Sequence, residues 1–419
     1  MKIGILGAGI SGLSIGKLLS EFYDIEILEK ANLHGGIART KTVNNVTYHV
    51  TGGHCFNSKY PDVLDFVFNK IMPYDQWHKI SRNSVIRFKG HEISYPIEFA
   101  IRQIYNFDKH LAISIVKDFL NANDDNSYAN LEDWFRKKFG NTLAEEYFIP
   151  YNQKIWDKCP KDMDPSWVSD KLPIPNLDSF FHALIDSAKD MMPHSEFYYP
   201  NTNNQNSFLD KLAEGLNIKY NIDVMSVKFD AEMKKWIINN EFYYDLIITT
   251  LPLNEIPNFI FNCPDSILKA ASELKYNKVT TMLWETKPTT RTWSYFPDSD
   301  TLFHRQIHIG SFFKPSKNYT ITEAVGVRSY DEMVENGKKD SFLITPIDYH
   351  VSNHAYVVFN DNYKQNKDLI LQYLKSIGIY SVGRFAEWEY YNMDVCIKKA
   401  IDLKQEIINI LEQENGKLF

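Results

Sequence analysis

The stretch GILGAGISGLSIGKLLSEFYDIEILEK, residues 4–30, decides how this chain begins to fold. With the two residues before it, KIGIL (2–6) reads as a short buried strand, 11–22 as a helix and DIEILE (24–29) as a second strand, because an apolar run gives way to helical spacing and then returns. That is a βαβ unit. Gly7, Gly9 and Gly12 fall at its first turn as GxGxxG, with Ser11 among them. The first glycine permits the tight turn, the second lets backbone approach a pyrophosphate, and the third lets the helix pack on the sheet. The helix N-terminus then aims N–H donors at the phosphate. Glu29 closes the second strand, where a carboxylate can accept from ribose hydroxyls, and Lys30 follows it.

Composition sets the frame around this unit. A chain of 419 residues exceeds one ordinary core and points to two or three domains, interleaved in sequence. With 44% apolar residues and 25 Tyr and 27 Phe, burial readily offsets chain entropy. A net charge of −7 argues against nucleic acid or an anionic membrane as partner, so an anionic ligand needs local cations. Cys55, Cys159, Cys263 and Cys396 are far apart and form no CxxC or Cys/His cluster, which predicts reduced thiols and no metal site. Lys2 before an apolar run imitates the start of a signal peptide, but the glycine spacing explains that run better. No uncharged apolar stretch reaches the roughly 18 residues of a membrane span. The expectation is a cytoplasmic protein without membrane insertion, and a homo-oligomer stays open.

Helical spacing recurs from about 60 to 80 and from about 97 to 148, broken at NANDDNS (121–127). NIDVMSVKFD (221–230) and the segment ending at Leu246 to Thr250 alternate like strands, the last of them returning to the first sheet. Residues 276–360 hold several β-rich pieces, and the tail after Asp394 reads as a helix. The fold class is therefore α/β: a Rossmann-like dinucleotide domain, discontinuous over 1–80, 193–262 and 360–419, a helical insertion at 99–170, and an antiparallel sheet domain for substrate at 81–98 and 263–359.

LHGGIART (33–40) narrows the dinucleotide to FAD. Gly35, Gly36 and Arg39 resemble the second glycine-arginine stretch of two-dinucleotide-binding flavoproteins, and Val224 resembles the residue whose backbone faces adenine in them. Five further stretches resemble the UDP-galactopyranose mutases, especially the eukaryotic type: VTGGHCFNSKY (50–60), PYNQKIWDKCP (150–160), SWVSDKLPIPN (166–176), WSYFPDSDTLFHR (293–305) and GRFAEWEY (383–390). They occur in that family's order over nearly the whole chain.

The resemblance implies roles residue by residue. Gly52, Gly53 and His54 would lie at the reactive edge of the flavin, and Arg384 would contact it. Arg305 would clamp the substrate diphosphate, as a guanidinium can bidentately. The family's second arginine matches Lys171, which keeps the charge and loses the planar fork. Tyr295, Tyr390 and Tyr356 would flank the phosphates, and Asn152, Trp156 and Tyr95 would hold uridine. Departures are Asn57 and Ser58 where bacterial members often carry His-Thr, Ile97 in place of an aromatic, and NTNNQN (201–206) where related flavoproteins carry glycines; that polar stretch is a candidate mobile loop.

The activity implied is interconversion of UDP-galactopyranose and UDP-galactofuranose without net redox, through a sugar adduct at N5 of reduced FAD, with NAD(P)H as external reductant and polysaccharide biosynthesis as setting. Two other enzymes fit the same frame: a mutase of another nucleotide sugar, and an oxidoreductase of the amine-oxidase or protoporphyrinogen-oxidase kind, which FYYP (197–200) resembles equally. A flavoprotein that binds a nucleotide sugar without turnover is a third alternative.

Overall fold

The computed structural model describes residues 1–122, 124–168, 172, 174–185 and 195–416. Five strands run parallel in the order Ile379–Ser381, Leu246–Thr249, Lys2–Leu6, Asp24–Glu29 and Asn217–Tyr220. The central strand, Lys2–Leu6, is covered on both faces, which is why Ile3 to Leu6 carry no charge, and its neighbour Asp24–Glu29 is buried from Ile25 onward. One face is covered by the helices Ile10–Leu19 and Met393–Gly416, joined through Leu13, Ile397 and Ala400. This is a Rossmann-like domain.

A seven-stranded sheet forms the second layer. Its order is Leu343–Val358, Lys275–Thr286, Tyr319–Val325, Arg305–Ile307, Trp293–Tyr295, Ser84–Phe88 and His91–Ser94. All its pairs are antiparallel except Trp293–Tyr295 with Ser84–Phe88. Register here matters more than length: Tyr295 pairs with Arg305, and Arg305 pairs with Glu323. Three residues from three successive strands thus stand side by side.

Helices Ile101–Phe107, Lys109–Asn121, Leu131–Phe139 and Ile149–Trp156 cover the end of this sheet. Asp108 and Asn130 cap two of them, accepting from the N–H of Leu111 and Asp133. The polar stretch 121–127 separates these two capped helices. The helical reading of 60–80 needs correction: helix holds only to Ile71, and Trp77–Ser81 is a strand paired with Glu196–Pro200. Trp77 and Ile80 bury their side chains there, three residues apart, a spacing that a helix would also give, so the pairing and not the pattern makes this a strand. The first helix ends at Leu19, earlier than 22. Among the described residues, no helix is long and apolar enough to cross a membrane, and no group of His, Cys, Asp and Glu could hold a metal.

Candidate dinucleotide and diphosphate site

Gly7 turns the chain out of the first strand with φ +100°, a conformation other residues rarely adopt. A side chain on Gly12 would strike the Gly7 carbonyl, so the helix can sit close above the turn only with glycine there. At Gly9 the situation differs. A Cβ would find nothing nearer than the Gly36 backbone at 4.0 Å, leaving an open cradle at the helix N-terminus. No side chain caps that terminus and no acid lies in its first turn, so its N–H groups face the cradle unanswered. Gly35 and Gly36, both at positive φ, close the other side, Gly35 bridging to Gly9. These features fit a dinucleotide pyrophosphate.

Glu29 is tied inward: its carboxylate accepts from the N–H of Ala8 at 2.7 Å and of Ala31 at 2.9 Å. It therefore braces the turn, which the sequence pattern did not disclose. Ser11 is buried beneath Gly383, where an added Cβ would meet the serine side chain. That contact brings Arg384 over the same end of the sheet. Val224 is buried, Lys30 is exposed, and Arg39 reaches the Leu33 carbonyl at 3.3 Å.

The second layer presents a cluster of cations and tyrosines. Arg305 donates from Nη2 to Glu323 Oε2 at 2.9 Å and to the Tyr356 hydroxyl at 2.6 Å, with its side chain 19% exposed. Tyr356 donates to Glu323 Oε1 at 2.8 Å, and His304 Nε2 stands 3.0 Å from the same oxygen. Burial by itself would raise the Glu323 carboxyl, but Arg305 and His304 override it and hold it well below the usual carboxylate range. Arg384 lies over the rings of Tyr390 at 4.5 Å and Tyr356 at 5.3 Å, donating to the Ala355 carbonyl at 2.6 Å. Trp156 meets Tyr356 and Tyr390 edge-on and donates to Asn152 Oδ1 at 3.1 Å. Tyr95 and Tyr295 have ring centroids 4.9 Å apart.

Gly52 explains how the two layers meet. It has φ +66°, and a Cβ would come within 2.8 Å of Arg305 Nη2 and 3.1 Å of Glu323 Oε2. Gly53 likewise rests on Ile307, 2.9 Å from where its Cβ would be. The glycines let the loop lie on the strand bearing Arg305, a packing reason for them within the chain itself. His54 follows. Burial, then Arg384 and Arg305, push its imidazole down to about 4, so it is neutral at physiological pH. Because its Nε2 lies 2.6 Å from the Thr51 carbonyl, which can only accept, Nε2 carries the proton and Nδ1 is left as an acceptor.

Against this geometry, residues 5–69 match an NAD(P)-binding Rossmann-like domain family. A dTDP-fucopyranose mutase of Escherichia coli is 22% identical, the match covering 96% of this chain and 97% of that protein. A UDP-galactopyranose mutase of Mycoplasma genitalium is 21% identical, over 97% of this chain and 94% of that protein. A crystal structure of reduced UDP-galactopyranose mutase superposes with TM-score 0.86 at 20% identity, covering 98% of this chain and 94% of that one. The chain has the fold of that structure over the length that superposes.

The predicted residues Arg305, Tyr295, Tyr356, Tyr390, Asn152, Trp156, Tyr95, Arg384 and His54 come together at this one place through the contacts above, whereas Lys171 lies outside the described residues. Sequence reading missed Arg82 and Glu323. Arg82 precedes the strand beside Tyr295, donates to its hydroxyl at 2.7 Å and lies 4.8 Å over the Trp293 ring. Neither Arg82 nor Arg384 has a carboxylate partner among the described residues, so Arg82, Arg305 and Arg384 face one ionised acid, Glu323. A single charged residue carries no local signal, and only the fold reveals these two, Glu323 by strand register and Arg82 by its bond to Tyr295.

Proposed function

We propose that this chain is an FAD-dependent mutase of nucleoside-diphosphate sugars, interconverting pyranose and furanose rings without net redox, with UDP-galactopyranose and UDP-galactofuranose as the substrate pair. One observation carries the reading: three arginines and a single carboxylate sit among tyrosines beside the Gly52–His54 loop, on a fold that also offers a pyrophosphate cradle. The surplus of two positive charges matches a diphosphate.

When bound, FAD in its reduced form, supplied with electrons by NAD(P)H, contributes an electron-rich ring able to act as nucleophile. Everything else falls to the chain. Arg305, already oriented by Glu323 and Tyr356, holds the diphosphate, and the leaving group needs no protonation if its charge is met by guanidinium. Lys171 is the proposed second cation. Tyr295, Tyr356 and Tyr390 donate hydrogen bonds and keep water from the reacting sugar. Asn152, Trp156 and Tyr95 take the nucleoside. His54 Nδ1 offers a fixed acceptor at the flavin edge, and Gly7, Gly9, Gly12, Gly35, Gly36, Arg39, Val224 and Arg384 take the dinucleotide. The closer likeness to eukaryotic members and a cytoplasmic setting belong to the same proposal.

A second substrate has its own support, since the Escherichia coli relative named for dTDP-fucopyranose matches nearly the full chain. An oxidoreductase would leave the arginine cluster without a task. Arg305→Ala tests the diphosphate reading: flavin content stays unchanged while UDP binding, followed by calorimetry, weakens by about 2 to 4 kcal/mol. Unaltered UDP affinity would remove Arg305 from the site.

A further inference from the structure

The stretch NTNNQN (201–206), offered by its polarity as a candidate mobile loop, is tied to the body of the molecule by its side chains. Asn206 accepts at Oδ1 from the Thr40 N–H at 2.8 Å and donates from Nδ2 to the Thr40 carbonyl at 3.0 Å. One side-chain amide thus answers both backbone groups of Thr40, as a neighbouring strand would. Thr40 Oγ1 donates to Asn204 Oδ1 at 2.5 Å, and the same oxygen accepts the N–H of Asn206 at 2.9 Å. Thr40 is buried and both asparagines are half-buried.

These bonds fall at the end of LHGGIART (33–40), the stretch that closes the Gly9 cradle. The helix beginning at the second asparagine, Asn206–Ala213, holds the rest of it. Asp210 Oδ1 lies 2.9 Å from His34 Nε2, and the Tyr220 hydroxyl lies 2.7 Å from His34 Nδ1. A Cβ on Gly35 would come within 2.6 Å of Leu209 Cδ1, so the glycine backbone rests on that side chain. From the opposite side the Gly35 N–H reaches the Ala8 carbonyl at 2.8 Å. The stretch therefore lies between the cradle and this helix, fastened at His34, Gly35 and Thr40.

The fastening acts where the chain is least able to order itself. Gly35 and Gly36 sit at φ +103° and +56°, and glycine loses more backbone freedom on ordering than any other residue. A glycine stretch ordered only by its ligand lowers that ligand's affinity by the cost of ordering, whereas one ordered beforehand does not.

We propose that Asn204 and Asn206 are positioning residues for the cofactor: through Thr40 they hold Gly35, Gly36 and Arg39 against the cradle, so that the pyrophosphate meets a site already shaped. The assignment rests on the cradle being a dinucleotide site. It confines the two asparagines to the dinucleotide half of the molecule, since none of their side-chain hydrogen bonds reaches the Arg305 cluster.

The test is titration of the flavin-depleted full chain with FAD, followed by quenching of flavin fluorescence, and with ADP, followed by calorimetry. Asn206→Leu keeps the size of the side chain and removes both bonds to Thr40, so it should weaken FAD and ADP alike by about tenfold or more. Ser207→Ala, on the same helical turn, loses only a bond to the Thr202 hydroxyl and should leave both ligands unchanged. UDP binding by FAD-saturated Asn206→Leu should equal that of the parent. Unchanged FAD and ADP affinities in Asn206→Leu, an equal loss in Ser207→Ala, or a parallel loss of UDP binding overturns the assignment and leaves the cradle standing. A parent chain that binds neither FAD nor ADP overturns both. Should Asn206→Leu fail to fold, Thr40→Val decides alone: it loses only the hydroxyl bond to Asn204, FAD should weaken by about threefold or more, and an unchanged affinity overturns the assignment.

Discussion

At the scale of single residues, the site depends on Glu323 as much as on Arg305. The carboxylate is fully buried, and it fixes the guanidinium from one side while Tyr356 fixes it from another. Removing its charge leaves a cation beside an amide that cannot balance it. Glu323→Gln should cost about 2 to 4 kcal/mol in thermal or denaturant unfolding, at the lower end for a buried pair because Arg305 keeps some contact with solvent. Its pH dependence has a defined sign. A depressed folded pKa stabilises the chain above the unfolded value near 4.3 and ceases to do so as pH falls toward the folded one. The parent should thus lose stability on acidification more steeply than Glu323→Gln, and identical acid slopes would show that Glu323 is not the ionised partner.

At the scale of elements, the opening βαβ unit was legible because three glycines, a strand and an acid all constrain one short turn. The glycines nonetheless do different work. Gly12 keeps clear of the Gly7 carbonyl within the fold, whereas Gly9 borders open space, its nearest neighbour the Gly36 backbone at 4.0 Å. Gly9→Val should therefore leave the flavin-free protein within about 1 kcal/mol of the parent in unfolding while abolishing the flavin absorbance of the purified chain. Gly12→Val should lose both. Flavin retained by Gly9→Val would contradict the cradle. The sheet that carries Arg305 was harder to read: its strands Trp293–Tyr295 and Arg305–Ile307 are three residues each, too short for alternation to show which faces they bury. Trp77–Ser81 was read as helix because its partner, Glu196–Pro200, is distant in sequence and leaves no local trace.

At the scale of the whole molecule, the two layers share one task through the Gly52–His54 loop, which lies on the Arg305 strand while His54 is influenced by Arg384 from the dinucleotide side. The family stretches along the chain pointed to this meeting place. The electrostatic balance within it did not show in the sequence, because Arg82, Arg384 and Glu323 are brought together only by folding. That balance is what separates a diphosphate-holding mutase from an oxidoreductase of similar shape. The most direct test is anaerobic incubation of the FAD-loaded chain with UDP-galactofuranose, with and without dithionite, followed by chromatography of the UDP-sugars. The account predicts UDP-galactopyranose only after reduction, with no oxidised sugar. No conversion of either UDP-galactofuranose or dTDP-fucofuranose by fully reduced, FAD-loaded protein would contradict it.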